Sequence, residues 1–185
     1  MITKYQSYNE SIRDKMSPKS KEEIEKSLGN IDDMSPFKKI KTGSENNILW
    51  LVEDGLKDFN KQHREKLFDL LMDVTFDGYD EIVKVLLDYN AHKSENGFRS
   101  QKNIPDLLIG ALNGGHLNVM KQYIEHGFDI DKLGDNMEHI HKNLDYPHKK
   151  DIIKLIVENS PKVRRKLEER IEDIEEKIDN IKKVL

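Results

Sequence analysis

The chain has 185 residues, 36% of them charged, a net charge of −4 and no cysteine. Mixed signs exclude a global field for nucleic acid. Missing thiols exclude disulfides, thiol catalysis and zinc–thiolate sites, and fit a reducing, intracellular compartment. No apolar run approaches the length of a membrane span, and no apolar signal-peptide core stands at the N-terminus.

In chain order, residues 1–16 are polar and without period and read as a loosely docked tail. Ser20 and Glu23 then stand at capping-box spacing. Ile24 and Leu28 share a face of the short helix that follows, and Gly29-Asn30 ends it. Residues 1–34 thus form a tail and a capping helix. Ser35-Pro36-Phe37 opens the next helix with a hydroxyl cap and a proline in the first turn.

One plan then recurs. Gly43 is followed by Ile48, Leu49, Leu51 and Val52, with a stop expected at Gly55. Gly78 is followed by Ile82, Val83, Leu86 and Leu87, with Asn90 at the stop. Gly115-His116 leads into Val119, Met120, Tyr123 and Ile124, stopped by Gly127; His148 leads into Ile152, Ile153, Leu155, Ile156 and Val157, stopped at Ser160. Gly and Asn are the residues that tolerate the left-handed cap such stops need. Preceding segments carry apolar or small residues at matching places: Leu71, Val74 and Thr75, then Leu108, Ala111 and Leu112, then Ile140 and Leu144. The openings at 43, 78, 115 and 148 are 35, 37 and 33 residues apart. Strand signals are nearly absent, so the fold is all-α.

The Gly-His turn, the apolar stripe behind it and the Gly stop resemble the second half of an ankyrin repeat, and Ser35-Pro36-Phe37 resembles that family's Thr-Pro-Leu opening. The spacing agrees with a unit of about 33 residues. The resemblance covers residues 35–160 and implies a short helical solenoid of about four degenerate repeats, capped at both ends by extra helices. It departs from the family in the first halves of the repeats. Lys38 stands where the family has a histidine that ties loops together, which implies looser loops.

The C-terminal segment, 161–185, differs. Ser160-Pro161 reads as a cap and a first helical proline, and Leu167, Ile171, Ile174, Ile178, Ile181 and Leu185 follow at spacings of 4, 3, 4, 3 and 4. This is a heptad seam. It suits either a capping helix laid on the last repeat or a coiled coil joining copies of the chain. Isoleucine at most a and d positions leans towards more than two strands. Arg170 would meet Glu175 in a parallel pair but Lys177 would meet Lys182, so charge leaves the choice open.

Chemistry is weakly signalled. His139, His141 and His148, with Asp135, Glu138 and Asp145, fit no zinc spacing. Gly114-Gly115 lacks the strand before it and the Lys-Ser or Lys-Thr after it that a phosphate loop needs. His116 reads as a structural hydrogen-bond partner and Trp50 as core. No enzyme activity, cofactor, metal, membrane or nucleic-acid partner is expected.

The resemblance implies instead a protein-binding adaptor or inhibitor that masks its partner. Worn repeats of this kind also resemble those of large DNA viruses and intracellular bacteria directed at host proteins. The family's contacts come from loop tips and inner helices, here residues 58–63, 93–102 and 129–136. Within the longest tip Phe98 and Arg99 are the favoured anchors, an aromatic beside an arginine. Asp73, Phe76 and Asn113 fall on or near the inner face, and Lys38 and Lys39 form a basic run there. Arg164-Arg165-Lys166 is a second basic run, placed where a helix dipole disfavours cations. The alternative function is a structural homo-oligomer assembled through the seam.

Overall fold

A computed structural model describes residues 21–60, 65–93, 98–144 and 149–184. Among them every regular element is helical and no strand occurs. No helix among them is long and apolar enough to cross a membrane. Tail residues 1–16, Ser20, Asp145, His148 and Leu185 lie outside the described residues. The chain divides into two compact units, up to Phe59 and from Asn60.

The first unit holds α1 (Lys21–Leu28), α2 (Pro36–Glu45) and α3 (Leu49–Lys57). Ile24 of α1 joins Ile31, Met34, Ile48 and Leu51 in one buried cluster, with Trp50 packed against it. The expected capping helix therefore closes this core, each fully buried aliphatic side chain contributing roughly 2 kcal/mol. Ser35 caps α2 by accepting from the Lys38 amide at 3.4 Å, and Pro36 takes the first helical position.

The turn from α2 to α3 lies four residues beyond the expected opening at Gly43. Asn47, with φ of 53°, is the left-handed residue, and the Ile48 amide donates back to the Gly43 carbonyl at 2.7 Å. Gly55 does not stop α3 either, because the helix runs on to Lys57. Both glycines serve close approach instead. A Cβ on Gly55 would stand 2.7 Å from the Pro36 carbonyl oxygen, and one on Gly43 would stand 2.9 Å from the Val52 nitrogen.

In the second unit α4 (Glu65–Asp77) pairs with α5 (Asp80–Asp88), and α6 (Phe98–Gly114) with α7 (Leu117–Glu125). A 3₁₀ segment (Ile130–Asn136) precedes α8 (Met137–Leu144), which pairs with α9 (Lys150–Asn159). The long α10 (Pro161–Val184) follows. Helix α6 packs on α4 and α8, while α7 packs on α5 and α9. The unit is thus two rows, α4–α6–α8 (termed inner) and α5–α7–α9 (termed outer), with a core between them that includes Leu71, Val74, Leu86, Leu108, Leu112, Met120, Tyr123, Ile140 and Ile156. Leu144, expected in that core, is 44% exposed on the last turn of α8.

The same turn joins both well-described pairs. Gly78 and Gly115 have φ of 73° each, and the amides of Tyr79 and His116 donate five residues back, to Val74 at 3.0 Å and Ala111 at 2.9 Å. This is the bond pattern of the Asn47 turn, and it satisfies carbonyls the helix end would leave orphaned. Asn90 and Gly127, the expected stops, close α5 and α7 likewise, with φ of 62° and 76° and bonds from Ala91 to Leu86 and from Phe128 to Tyr123. Residues 129–136 are no protruding tip: Ile130, Leu133 and Gly134 are buried. The 93–102 tip is shorter than expected, because α6 already begins at Phe98 and carries Pro105 in its interior.

Candidate functional site

Three sets of expected contact residues now have positions. In the first unit Lys39 is largely covered, and its ammonium is 2.8 Å from Asp54 on α3. Hydrogen bonding from Lys39 holds the Asp54 carboxyl below the usual carboxylate range. Lys39 therefore joins α2 to α3 rather than standing ready for a partner, whereas Lys38 is exposed.

In the second unit Asp73 and Phe76 lie on α4, and Asn113 lies on α6. Phe76 is 50% exposed, and its ring covers Gly110 of the next inner helix, where a Cβ would come within 3.2 Å of it. The Phe76 carbonyl accepts from His116 Nε2 at 2.8 Å, so the expected structural role of that histidine holds. Asp73 is exposed one turn before Phe76. Asn113 is a junction. Its side-chain oxygen accepts from Asn143 at 2.9 Å, and its carbonyl accepts from Lys149 Nζ. Lys149 also donates to Asn143 Oδ1 at 2.5 Å, and burial pushes its pKa down. Asn113 thus ties α6 to α8 and to the start of α9. Phe98 and Arg99 open α6, and their side chains lie outside the described residues.

Outer-row polar groups bridge neighbouring pairs. Asn118 donates to Asp80 at 2.9 Å, and His126 Nε2 meets Asp88 at 2.9 Å, one bridge near each end of α5 and α7. His92 was not signalled by the sequence. It is buried against Phe128, with ring centroids 5.1 Å apart, and burial, with smaller contributions from Lys93 and His126, pushes its pKa down to about 4. Asp135 is taken by Lys162 at 2.7 Å and Glu138 by Lys142 at 2.5 Å. Among the described residues no group of three or more His, Asp or Glu is arranged to hold a metal.

The third set is on α10. Ser160 caps it by accepting from the Val163 amide at 3.1 Å, and donates to Asp131 at 2.5 Å. The Lys162 amide donates to the same carboxylate at 3.1 Å, and Val163 is fully buried. The basic run is spent here: Lys166 donates to the Gly134 carbonyl at 2.6 Å, Arg164 to the Val157 carbonyl at 3.2 Å, and Arg165 sits 3.5 Å from Glu169. Beyond that first stretch the helix leaves its support. Leu167 is half-buried, but Ile171, Ile174, Ile178 and Ile181 are 55%, 45%, 45% and 60% exposed. From Ile171 to Ile181 the seam does not lie on the last helix pair as a capping helix would. Compared with known proteins, the chain matches no family model, no curated sequence and no solved structure.

Proposed function

We propose that the chain is a protein-binding module, a stack of ankyrin-like helix pairs that holds its partner on the inner row and acts as adaptor or inhibitor by covering the partner's surface. The observation that carries this reading is Phe76, a half-exposed aromatic spread across Gly110 of the neighbouring inner helix. A large ring already fixed in place loses little freedom on binding, and such aromatics are frequent anchors of protein interfaces. Four helix pairs, with one turn recurring at Asn47, Gly78 and Gly115, support the ankyrin-like reading. The turns are 31 and 37 residues apart, on either side of the roughly 33 of that unit.

The test is stoichiometric capture by the tagged full chain from its own cellular setting, beside Phe76→Ser and beside Phe98→Ala/Arg99→Ala. One partner lost with Phe76→Ser, at unchanged thermal stability, supports the inner row. A partner lost only with the second variant moves the site to the start of α6 and overturns the inner-row placement. Recovery of the chain alone from every relevant setting overturns the reading altogether.

A further inference from the structure

Asn113 is followed by Gly114. A glycine has no side chain to hinder its nitrogen, so this is the dipeptide in which backbone attack on an asparagine side chain is easiest. In that reaction the Gly114 nitrogen gives up its proton and bonds to Asn113 Cγ. The bond from Cγ to Nδ2 breaks, ammonia leaves, and a five-membered imide closes. Water then opens the ring to aspartate or isoaspartate. Both residues are exposed, so water has access. The other Asn-Gly pair, at 96–97, lies outside the described residues.

The fold acts on this chemistry in two opposed ways. Asn143 Nδ2 donates to Asn113 Oδ1 at 2.9 Å, and the Lys149 ammonium donates to the Asn113 carbonyl and to Asn143 Oδ1. A donor on Oδ1 stabilises the charge that oxygen gains during attack. The same bonds also hold Asn113 still. Asn113 and Gly114 are the last two residues of α6, and ring closure needs a ψ at Asn113 far from the helical value of about −42°. Restraint wins, because polarisation acts only on a carbon the nitrogen can reach. A helix end closed by two glycines would fray if left to itself. Here it is pinned by the buried Asn143 and Lys149, and the His116 ring lies against Gly114. We propose that Asn113 is a self-modification site kept latent by the Asn143–Lys149 junction and converted to aspartate or isoaspartate when the end of α6 opens. Aspartate sets a carboxylate beside the Lys149 ammonium, and isoaspartate adds a methylene to the backbone just before the Gly115 turn. The reaction needs no partner, so the inference stands apart from the inner-row reading.

The test follows Asn113 by peptide mapping and isoaspartate labelling in the full chain, held for weeks at neutral pH and body temperature. Lys149→Met runs beside it, a variant that keeps a long packed stem but removes the ammonium. Conversion in the folded wild type should be slower than in the urea-unfolded chain by about tenfold or more. Lys149→Met, with its helical circular dichroism intact, should recover most of that factor. A wild-type rate equal to that of the unfolded chain, or a folded variant no faster than the wild type, overturns the proposal. The wild type also supplies a readout that survives failure of the variant to fold. Opening one helix end exposes little surface, so the rate should stay flat across low urea. A rate that climbs in step with global unfolding overturns the local latch.

Discussion

His116 Nε2 donates to the Phe76 carbonyl at 2.8 Å, joining the start of one outer helix to the end of the preceding inner one. To reach it the imidazole passes so close to Gly114 that a Cβ there would overlap the ring. Gly114→Ala is therefore expected to destabilise the fold by about 2 kcal/mol, as overpacking does. His116→Ala, which removes the hydrogen bond, should cost about 1 kcal/mol. In the His116→Ala background the Gly114→Ala cost should largely vanish, because the overlapping ring is gone. Urea unfolding of the four proteins of this cycle checks the coupling; equal costs of Gly114→Ala in both backgrounds would refute it.

Thr75 and Tyr123 share a buried hydroxyl–hydroxyl bond between α4 and α7. Thr75 also donates to the Leu71 carbonyl at 2.6 Å, so the Tyr123 hydroxyl is the donor to Thr75. The two hydroxyls are thus not equivalent. Tyr123→Phe leaves Thr75 with its acceptor and should cost about 1 kcal/mol, while Thr75→Val strands a buried phenol and should cost about 2 to 3. Thermal unfolding should rank them in that order.

His92 makes stability depend on pH. Its folded pKa, pushed down to about 4 by burial, lies below the ordinary 6.5 of the unfolded chain. Between those values the unfolded state binds the extra proton. Its contribution is therefore full above about pH 6.5 and falls as pH drops towards 4, by at most about 1.4 kcal/mol per pH unit. His141, whose pKa burial and Arg170 also lower, acts with the same sign. The urea midpoint of the wild type should fall across this window, and His92→Gln should flatten the slope. An unchanged slope in the variant would rule out His92 as the cause.

Gly55→Ala separates propensity from packing. In an exposed helix interior the change would gain roughly 1 kcal/mol. Here the new methyl would stand 2.7 Å from both the Pro36 carbonyl and Ile40. Backbone cannot yield cheaply, so overpacking of about 1 to 3 kcal/mol should win. A higher denaturation midpoint for the alanine variant would contradict the close approach.

These glycines also show where the sequence is ambiguous. Gly78, Gly115, Asn90 and Gly127 are legible because each interrupts a helical stripe at a place that needs positive φ. Gly43 and Gly55 look identical on paper, yet they let two backbones approach, a need set by the neighbouring helix. Asn47, the true turn residue, is hidden by a second Asn before it. Residues 130–136 show no helical period because the 3₁₀ turn has a different one. Pro105 obscures the first two turns of α6, since proline more often opens a helix than sits inside one.

The candidate contacts were legible only as residue types. Lys39 read as a surface cation because Asp54, fifteen residues on, is not predictable as its partner. Asn113 likewise belongs to a junction made by Asn143 and Lys149. For α10 the spacing specified which side is apolar, but whether that side is covered depends on where the helix leaves its support.

That point of departure bears on how α10 stays helical. The costly event in forming any helix is its first turn, after which each residue adds cheaply. Here the first turn is set by contacts from elsewhere in the unit: Asp131 grips Ser160 and the Lys162 amide, and Gly134 takes Lys166. Nucleation is thereby already accomplished, and the remainder grows outwards like a rod rooted at one end. Such a rod frays from its tip, so amide protection should decline steadily from Leu167 towards Lys183 while Val163 exchanges with the core.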